Sequence, residues 1–423
     1  MQRSFASQSP IPVVVAQHVE ESTILRRTRA VLVRASHVKL KHLSRWDERI
    51  AAHLDGVAVA GEFGWKLCEA GLENSGVGEV FVAAVRAIQD KNSQRLDRLI
   101  VLVEAIPQSE SGLSSAFGWV SSQSLKGMIN LLLSADNLFR RRVGIIACAL
   151  HRVDPGSALG AAIKDKDSAL RARAIRAAGE LGRLDLLPIC QQYIRGDDSS
   201  LRFWAAWSAT LLGDRREAVE ALKVFIPIQG VFRERTLRLA LKVVEPKNAH
   251  GLLKELAQDP ANQRELIRGT GIAGDPFYIP WLIKQMSNPQ IACLAGEAFS
   301  FITGLDLAYQ KLEQEPPADF EPGPNDDPND DNVAMDDDDG LPWPDPVKIQ
   351  AWWSANSHRF QSGVCYFMGE PVTRAHCIRV LKEGYQRQRI AAAEYLCLLN
   401  PGTPLFNTSA PAWRQKRLLE KME

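Results

Sequence analysis

DSALRARAIRAAGEL, residues 167–181, opens on an aspartate, places Arg171 four residues later and reaches Ala178 seven residues beyond that arginine. The arrangement returns as DNLFRRRVGIIACAL (136–150) and DSSLRFWAAWSATLL (198–212), and with one extra residue as DPANQRELIRGTGIAG (259–274). Arginine thus recurs every 31 residues at Arg140, Arg171, Arg202, Arg233 and Arg264, with a small residue in constant phase at Ala147, Ala178, Ala209, Ala240 and Gly271. A fixed period of about 30 residues is the mark of a stacked repeat array.

Each copy reads as helix, turn, helix. Asp136, Asp167, Asp198 and Asp259 stand where an N-cap carboxylate would accept the unpaired N–H groups of the first turn. Pro260 follows Asp259 at the first helical position, where a missing N–H costs nothing. Offsets of three, seven and ten from the arginine fall on one helical face. Gly182, Gly213 and Gly274 mark the stops. Second helices are expected over Leu186–Tyr193, Arg216–Phe225, Lys247–Ala257 and Tyr278–Met286, and 288–307 reads as one more first helix. The copy near Gly230 lacks its cap. This pattern resembles the short HEAT-like repeat over about 130–310, which implies an all-α fold, an α-solenoid of helix–turn–helix repeats.

Outside the array the helical pattern is out of phase. LSRWDERIAAHLDGV (43–57) is amphipathic and is read as closing at Gly56; RLDRLIVLVEAI (95–106) ends before Pro107. The expected division is an N-terminal helical cap or divergent repeats over 1–125, the array over 126–312, an acidic, Pro-rich flexible segment over 313–346 and a C-terminal helical region over 347–423. The acidic segment holds 13 carboxylates and no Lys or Arg. Since the whole chain carries +1, the rest carries about +14 (+1 plus 13). Dense like charge and few hydrophobes predict an extended loop, with Leu341–Pro346 apolar enough to dock on the body. Seven dispersed cysteines without a CxxC pair read as reduced core thiols. The apolar run Val13–Ala16 is too short for a signal sequence, and the expected address is the cytoplasm.

Little in the sequence points to chemistry. His-Glu dipeptides, HExxH, GxSxG and GxxxxGK[ST] are absent, and the acidic run places Met335 and Pro346 where a calcium loop needs its first and twelfth ligands. No catalytic residue, cofactor or metal is therefore expected. The arginine ladder is read first as structural, each arginine bonding a cap or carbonyl of a neighbouring repeat. Arg141, Arg142, Arg173, Arg176, Arg235 and Arg238 lie beside it as a candidate basic surface for a partner. Base-stacking aromatics are not interleaved with them; Trp204 and Trp207, three apart, read as core. That weighs against nucleic acid.

Several longer phrases, WDERIAAHLDGV, RFWAAWSATLLGD, LAGEAFSFITGLDL, DDDDGLPWPDP and NPGTPLF, resemble one proteobacterial family of HEAT-like repeat proteins. Genes of that family are often found beside type VI secretion effector and accessory genes. The resemblance implies a non-catalytic, cytosolic protein-interaction scaffold, an accessory or chaperone-like adaptor for a secreted effector. It carries no catalytic residue. The alternatives are an immunity protein neutralising the effector, and a solenoid nucleic-acid-binding protein or DNA glycosylase-like enzyme.

Overall fold

A computed structural model of the chain describes residues 9–318, 320 and 337–422. These residues form an all-α fold of paired helices, with one two-stranded hairpin, Tyr366–Phe367 against Glu370–Pro371, that the sequence pattern did not announce. Two compact units divide the chain. The first comprises Met1–Arg34, Val38–Ala177 and Asn407–Lys421; the second comprises Ala35–His37, Ala178–Phe406 and Met422–Glu423.

The first unit holds α1 (Pro12–Leu32), α2 (Leu40–Val59), α3 (Gly61–Gly71), α4 (Val77–Gln89), α5 (Ser93–Ala105), α6 (Glu110–Trp119), α7 (Met128–Leu133), α8 (Leu138–His151) and α9 (Ser157–Ile163). Helix α4 is apolar nearly all round and buries every residue from Val80 to Ile88, as a helix enclosed by others must. Phe81, Leu99 and Phe117 anchor the core about it. The expected end of α2 at Gly56 needs correction: α2 runs on to Val59. A Cβ at Gly56 would lie 2.5 Å from the His18 ring, so this glycine admits a side chain of α1. The expected cap Asp136 is corrected too. Helix α8 starts at Leu138, and the Asn137 side chain accepts from Arg140 N at 2.8 Å. At the other end of the chain, 407–421 returns to this unit. Arg414 donates to the Gly118 and Val120 carbonyls, both at 2.9 Å, and Ala412 N donates to the buried Asp47 carboxylate at 2.6 Å.

Helix α10 (Ser168–Leu181) contains the division, and the second unit continues through α11 (Leu187–Tyr193), α12 (Ser199–Leu211), α13 (Glu217–Lys223), α14 (Arg233–Val243), α15 (Pro246–Leu256), α16 (Gln263–Ala273), α17 (Ile279–Gln285) and α18 (Ala292–Thr303). After the acidic stretch come α19 (Pro346–Asn356), α20 (Arg374–Glu383) and α21 (Gln386–Leu399); α22 (Ala412–Leu419) belongs to the first unit. Asp167 and Asp198 cap as the sequence predicts, accepting from Leu170 N and Leu201 N at 2.7 and 3.0 Å. Asp259 needs correction: it accepts from Ala261 N at 2.9 Å and caps a short 3-10 turn, Pro260–Asn262, while α16 starts after it at Gln263 with no side-chain cap. The copy near Gly230 has no side-chain cap, also as expected. Successive first helices pack on one another, α14 on α16 and α16 on α18, and each also packs on the second helix of the copy before it: α14 on α13, α16 on α15 and α18 on α17.

Helix ends leave unpaired carbonyls, and in the second unit later chain segments meet them. Gly182 and Gly274 leave their helices at φ +69° and +71°. Leu405 N donates to Glu180 O at 3.0 Å and Tyr366 N to Gly274 O at 2.8 Å. A Cβ at Gly274 would stand 2.2 Å from Tyr366 O, so only glycine serves both the turn and the contact. Residues 341–346, expected to dock, do so. Asp345 N donates to Leu312 O and Gln314 N to Trp343 O, both at 2.9 Å, while the Phe320 and Trp343 rings lie 4.8 Å apart. The remainder of the acidic segment expected to be flexible, 319 and 321–336, lies outside the described residues.

Candidate functional site

Four of the five ladder arginines bond residues of the helices and turns around them. In the first unit Arg140 pairs with Asp97, and Arg171 Nη1 donates to Asp165 O at 3.1 Å. In the second unit Arg233 is buried, with Nε donating to Ile226 O at 2.8 Å and Nη2 to Asn262 Oδ1 at 2.5 Å. Arg264 donates to Gln290 O at 3.2 Å and to Asp338 Oδ1 at 2.6 Å. Arg202 is half-buried in the first turn of α12. Phased small residues accompany them: Ala147, Ala178, Ala209 and Ala240 are buried, and a Cβ on Gly271 would lie 2.9 Å from Ala298 Cα.

The six flanking arginines differ in their surroundings. Arg141 pairs with Asp165 at 3.0 Å and Arg142 with Glu110 at 2.8 Å. Arg173 and Arg176 are half-buried on α10. Arg235 lies over the Trp204 ring at 5.7 Å. Arg238 turns inward to Glu394 Oε1 at 2.8 Å, and Lys242, one turn further along α14, reaches the other carboxylate oxygen. Burial drives Glu394 up, but the two cations outweigh it and hold its carboxyl below the ordinary range. Glu394 is a single carboxylate in the apolar run IAAAEYLCLL. That is the signal by which the sequence could have revealed it, because a buried carboxylate demands a cation.

A second charged cluster gathers around the acidic turn 337–340. Besides the Arg264–Asp338 pair, Arg268 Nη2 stands 3.8 Å from Asp337 Oδ2, and Arg387 Nη2 donates to the Asp337 carbonyl at 3.0 Å. The other nitrogen of Arg387 binds Glu297 at 2.7 Å. Burial raises the Glu297 carboxyl even with Arg387 beside it. Gly340 packs on the His37 ring, and Ser36 Oγ donates to Asp339 O at 3.3 Å. Period 31 marks Arg264 but not Arg268, Arg387 or Glu297, since it says nothing of a turn folded back from residues 337–340.

The first unit carries an open cavity of about 380 Å³ lined by Leu125, Lys126, Asn130, Leu133, Cys148 and His151, among others. A cysteine and a histidine one turn apart invite comparison with a nucleophilic pair. Burial pushes the Cys148 thiol up to about 11. Burial, with Arg414 nearby, lowers His151 to about 4, and its Nε2 bonds Phe117 O at 2.8 Å. Both are therefore neutral at pH 7. A thiolate–imidazolium pair requires the opposite shifts, so this arrangement does not activate a nucleophile. Among the described residues all seven cysteines are free, no group of three His, Cys, Asp or Glu is placed to hold a metal ion, and no helix is long and apolar enough to cross a membrane.

Helix pairs closed by glycine, capped by aspartate and stacked through small residues are what a repeat family should look like. Residues 156–226 match the family model for HEAT repeats. The match spans α9 to α13 and the two copies with the clearest aspartate caps. No curated protein and no solved structure matches the chain. HEAT repeats are generally protein-interaction scaffolds.

Proposed function

We propose that the chain is a non-catalytic scaffold that binds another protein, as an accessory or chaperone-like adaptor for a type VI secretion effector. The observation that carries the first part is the HEAT-repeat match at 156–226, in a chain whose arginines and small residues repeat in phase around it. Repeat arrays expose long surfaces that suit macromolecular partners. The neutral Cys148 and His151 support a binding role over covalent chemistry at the cavity. The effector as partner rests on LAGEAFSFITGLDL and DGLPWPDP, the phrases most distinctive of the family resemblance.

The test is co-purification with the proposed effector, divided into delivery and toxic domains. An adaptor retains the delivery domain. Retention of the toxic domain alone assigns the immunity role instead, and retention of neither removes both.

A further inference from the structure

The acidic turn sits on its arginines as a ligand sits in a site. Arg264 and Arg268 stand one turn apart at the start of α16, and Arg387 lies in the first turn of α21. Against these three cations the structure sets Glu297, Asp337 and Asp338, a balance of zero; without the turn the cluster is left at +2 (three cations against Glu297). The two aspartates are held unequally. Asp338 is 7% exposed and bonded to Arg264 at 2.6 Å, whereas the Asp337 side chain is 75% exposed and 3.8 Å from Arg268. Arg387 also takes the main-chain carbonyl of Asp337. The cluster thus engages a carboxylate and a peptide carbonyl together, which a phosphodiester backbone does not offer.

We propose that Arg264, Arg268 and Arg387 form a docking site for an acidic peptide segment of a partner protein, and that Asp337–Asp338 occupies it in cis until such a segment displaces it. The idea rests on the reading of the chain as a protein-binding scaffold and names the chemistry of what it binds. Exchange would begin at the exposed Asp337 and end with the release of Asp338. Guanidinium groups suit this, because they bind carboxylates in two-point fashion and stay charged at every working pH. A cis occupant competes through its high effective concentration, so the site is weak toward outside peptides until the turn is neutralised.

The experiment uses the full chain and a labelled synthetic peptide, AMDDDDG, copied from residues 334–340. Fluorescence anisotropy compares the parent with the Asp337→Asn/Asp338→Asn variant. The variant should bind the peptide about tenfold more tightly or better, since the tethered competitor is gone. Adding Arg264→Gln and Arg268→Gln should abolish that gain, and salt should weaken binding as it screens the pairs. A folded variant that binds no better than the parent overturns the proposal, as does a larger gain for a duplex DNA probe than for the peptide. Should the double variant fail to fold, Asp337→Asn alone decides: its carboxylate is exposed, its removal should raise affinity measurably, and unchanged affinity overturns the idea. Failure here leaves the co-purification result untouched, so the two readings fall separately.

Discussion

Gly271 is the last of the phased small residues, and it tests the repeat seam without disturbing any charge. It lies within α16, facing Ala298 of α18, and a Cβ built on it would stand 2.9 Å from Ala298 Cα, 3.1 Å from its Cβ and 3.2 Å from its carbonyl oxygen. Two of those atoms are helix backbone, which cannot swing aside. Gly251 in α15 is the control, because a Cβ there meets nothing within 4 Å. In both variants Gly→Ala gains about 1 kcal/mol of helix propensity. Gly271→Ala additionally overpacks the seam, at a cost of about 1–3 kcal/mol. Subtracting the shared gain, Gly271→Ala should be neutral to about 2 kcal/mol less stable than the parent, and Gly251→Ala about 1 kcal/mol more stable. The separation of about 1–3 kcal/mol corresponds to several degrees in melting temperature for a unit of this size. Thermal unfolding followed by circular dichroism reads the order Gly251→Ala, parent, Gly271→Ala. Equal stabilisation by the two substitutions would mean that the first helices do not meet at this phase.

Other expected outcomes follow from single contacts. Glu394→Gln leaves the buried Lys242 ammonium without its counter-charge and should lower stability by about 3–5 kcal/mol. Urea titration checks this; adding Lys242→Met should recover part of the loss, and a Glu394→Gln variant as stable as the parent would disprove the pairing. Asn137→Ala should cost about 1 kcal/mol because Asn137 caps α8, while Asp136→Ala should cost much less. Equal effects in melting experiments would restore Asp136 as the cap. His151 has a folded pKa of about 4, below its ordinary 6.5, so the unfolded chain takes up the proton first. Its contribution is complete above pH 6.5 and is lost as pH falls toward 4, by at most about 3 kcal/mol and less after solvent screening. His151→Gln, which keeps a donor for the Phe117 carbonyl, should flatten the decline of melting temperature between pH 7 and pH 4.5; an unchanged slope would place the titration elsewhere.

How much of this was legible in the sequence depends on the distance over which each feature acts. Caps, glycine stops and second helices follow from neighbours within one turn, and Asp167, Asp198, Gly182 and Gly274 stand as the repeat predicts, whereas Asp259 caps a 3-10 turn ahead of its helix. Asp136 failed because an asparagine beside it offered an equally good cap, and helix phase alone does not choose between them. Gly56 failed because its smallness serves a packing contact, which looks the same in sequence as a helix stop. Chemistry at the surface was less legible. Arg238 reads as exposed by period, yet Glu394, 156 residues away, draws it inward. Likewise the return of 407–421 to the first unit depends on Asp47, Gly118 and Val120. Such long-range contacts leave no periodic trace in one sequence.

The proposed role is stoichiometric binding of a protein partner without chemistry on it. Isothermal titration of the full chain with the proposed partner, a purified type VI secretion effector, tests that role most directly. Saturable binding at a fixed stoichiometry is expected, weakened by added salt as it screens the arginine clusters, with the effector recovered intact and of unchanged mass. Absence of binding heat at any salt concentration, or recovery of a covalently altered effector, would contradict it.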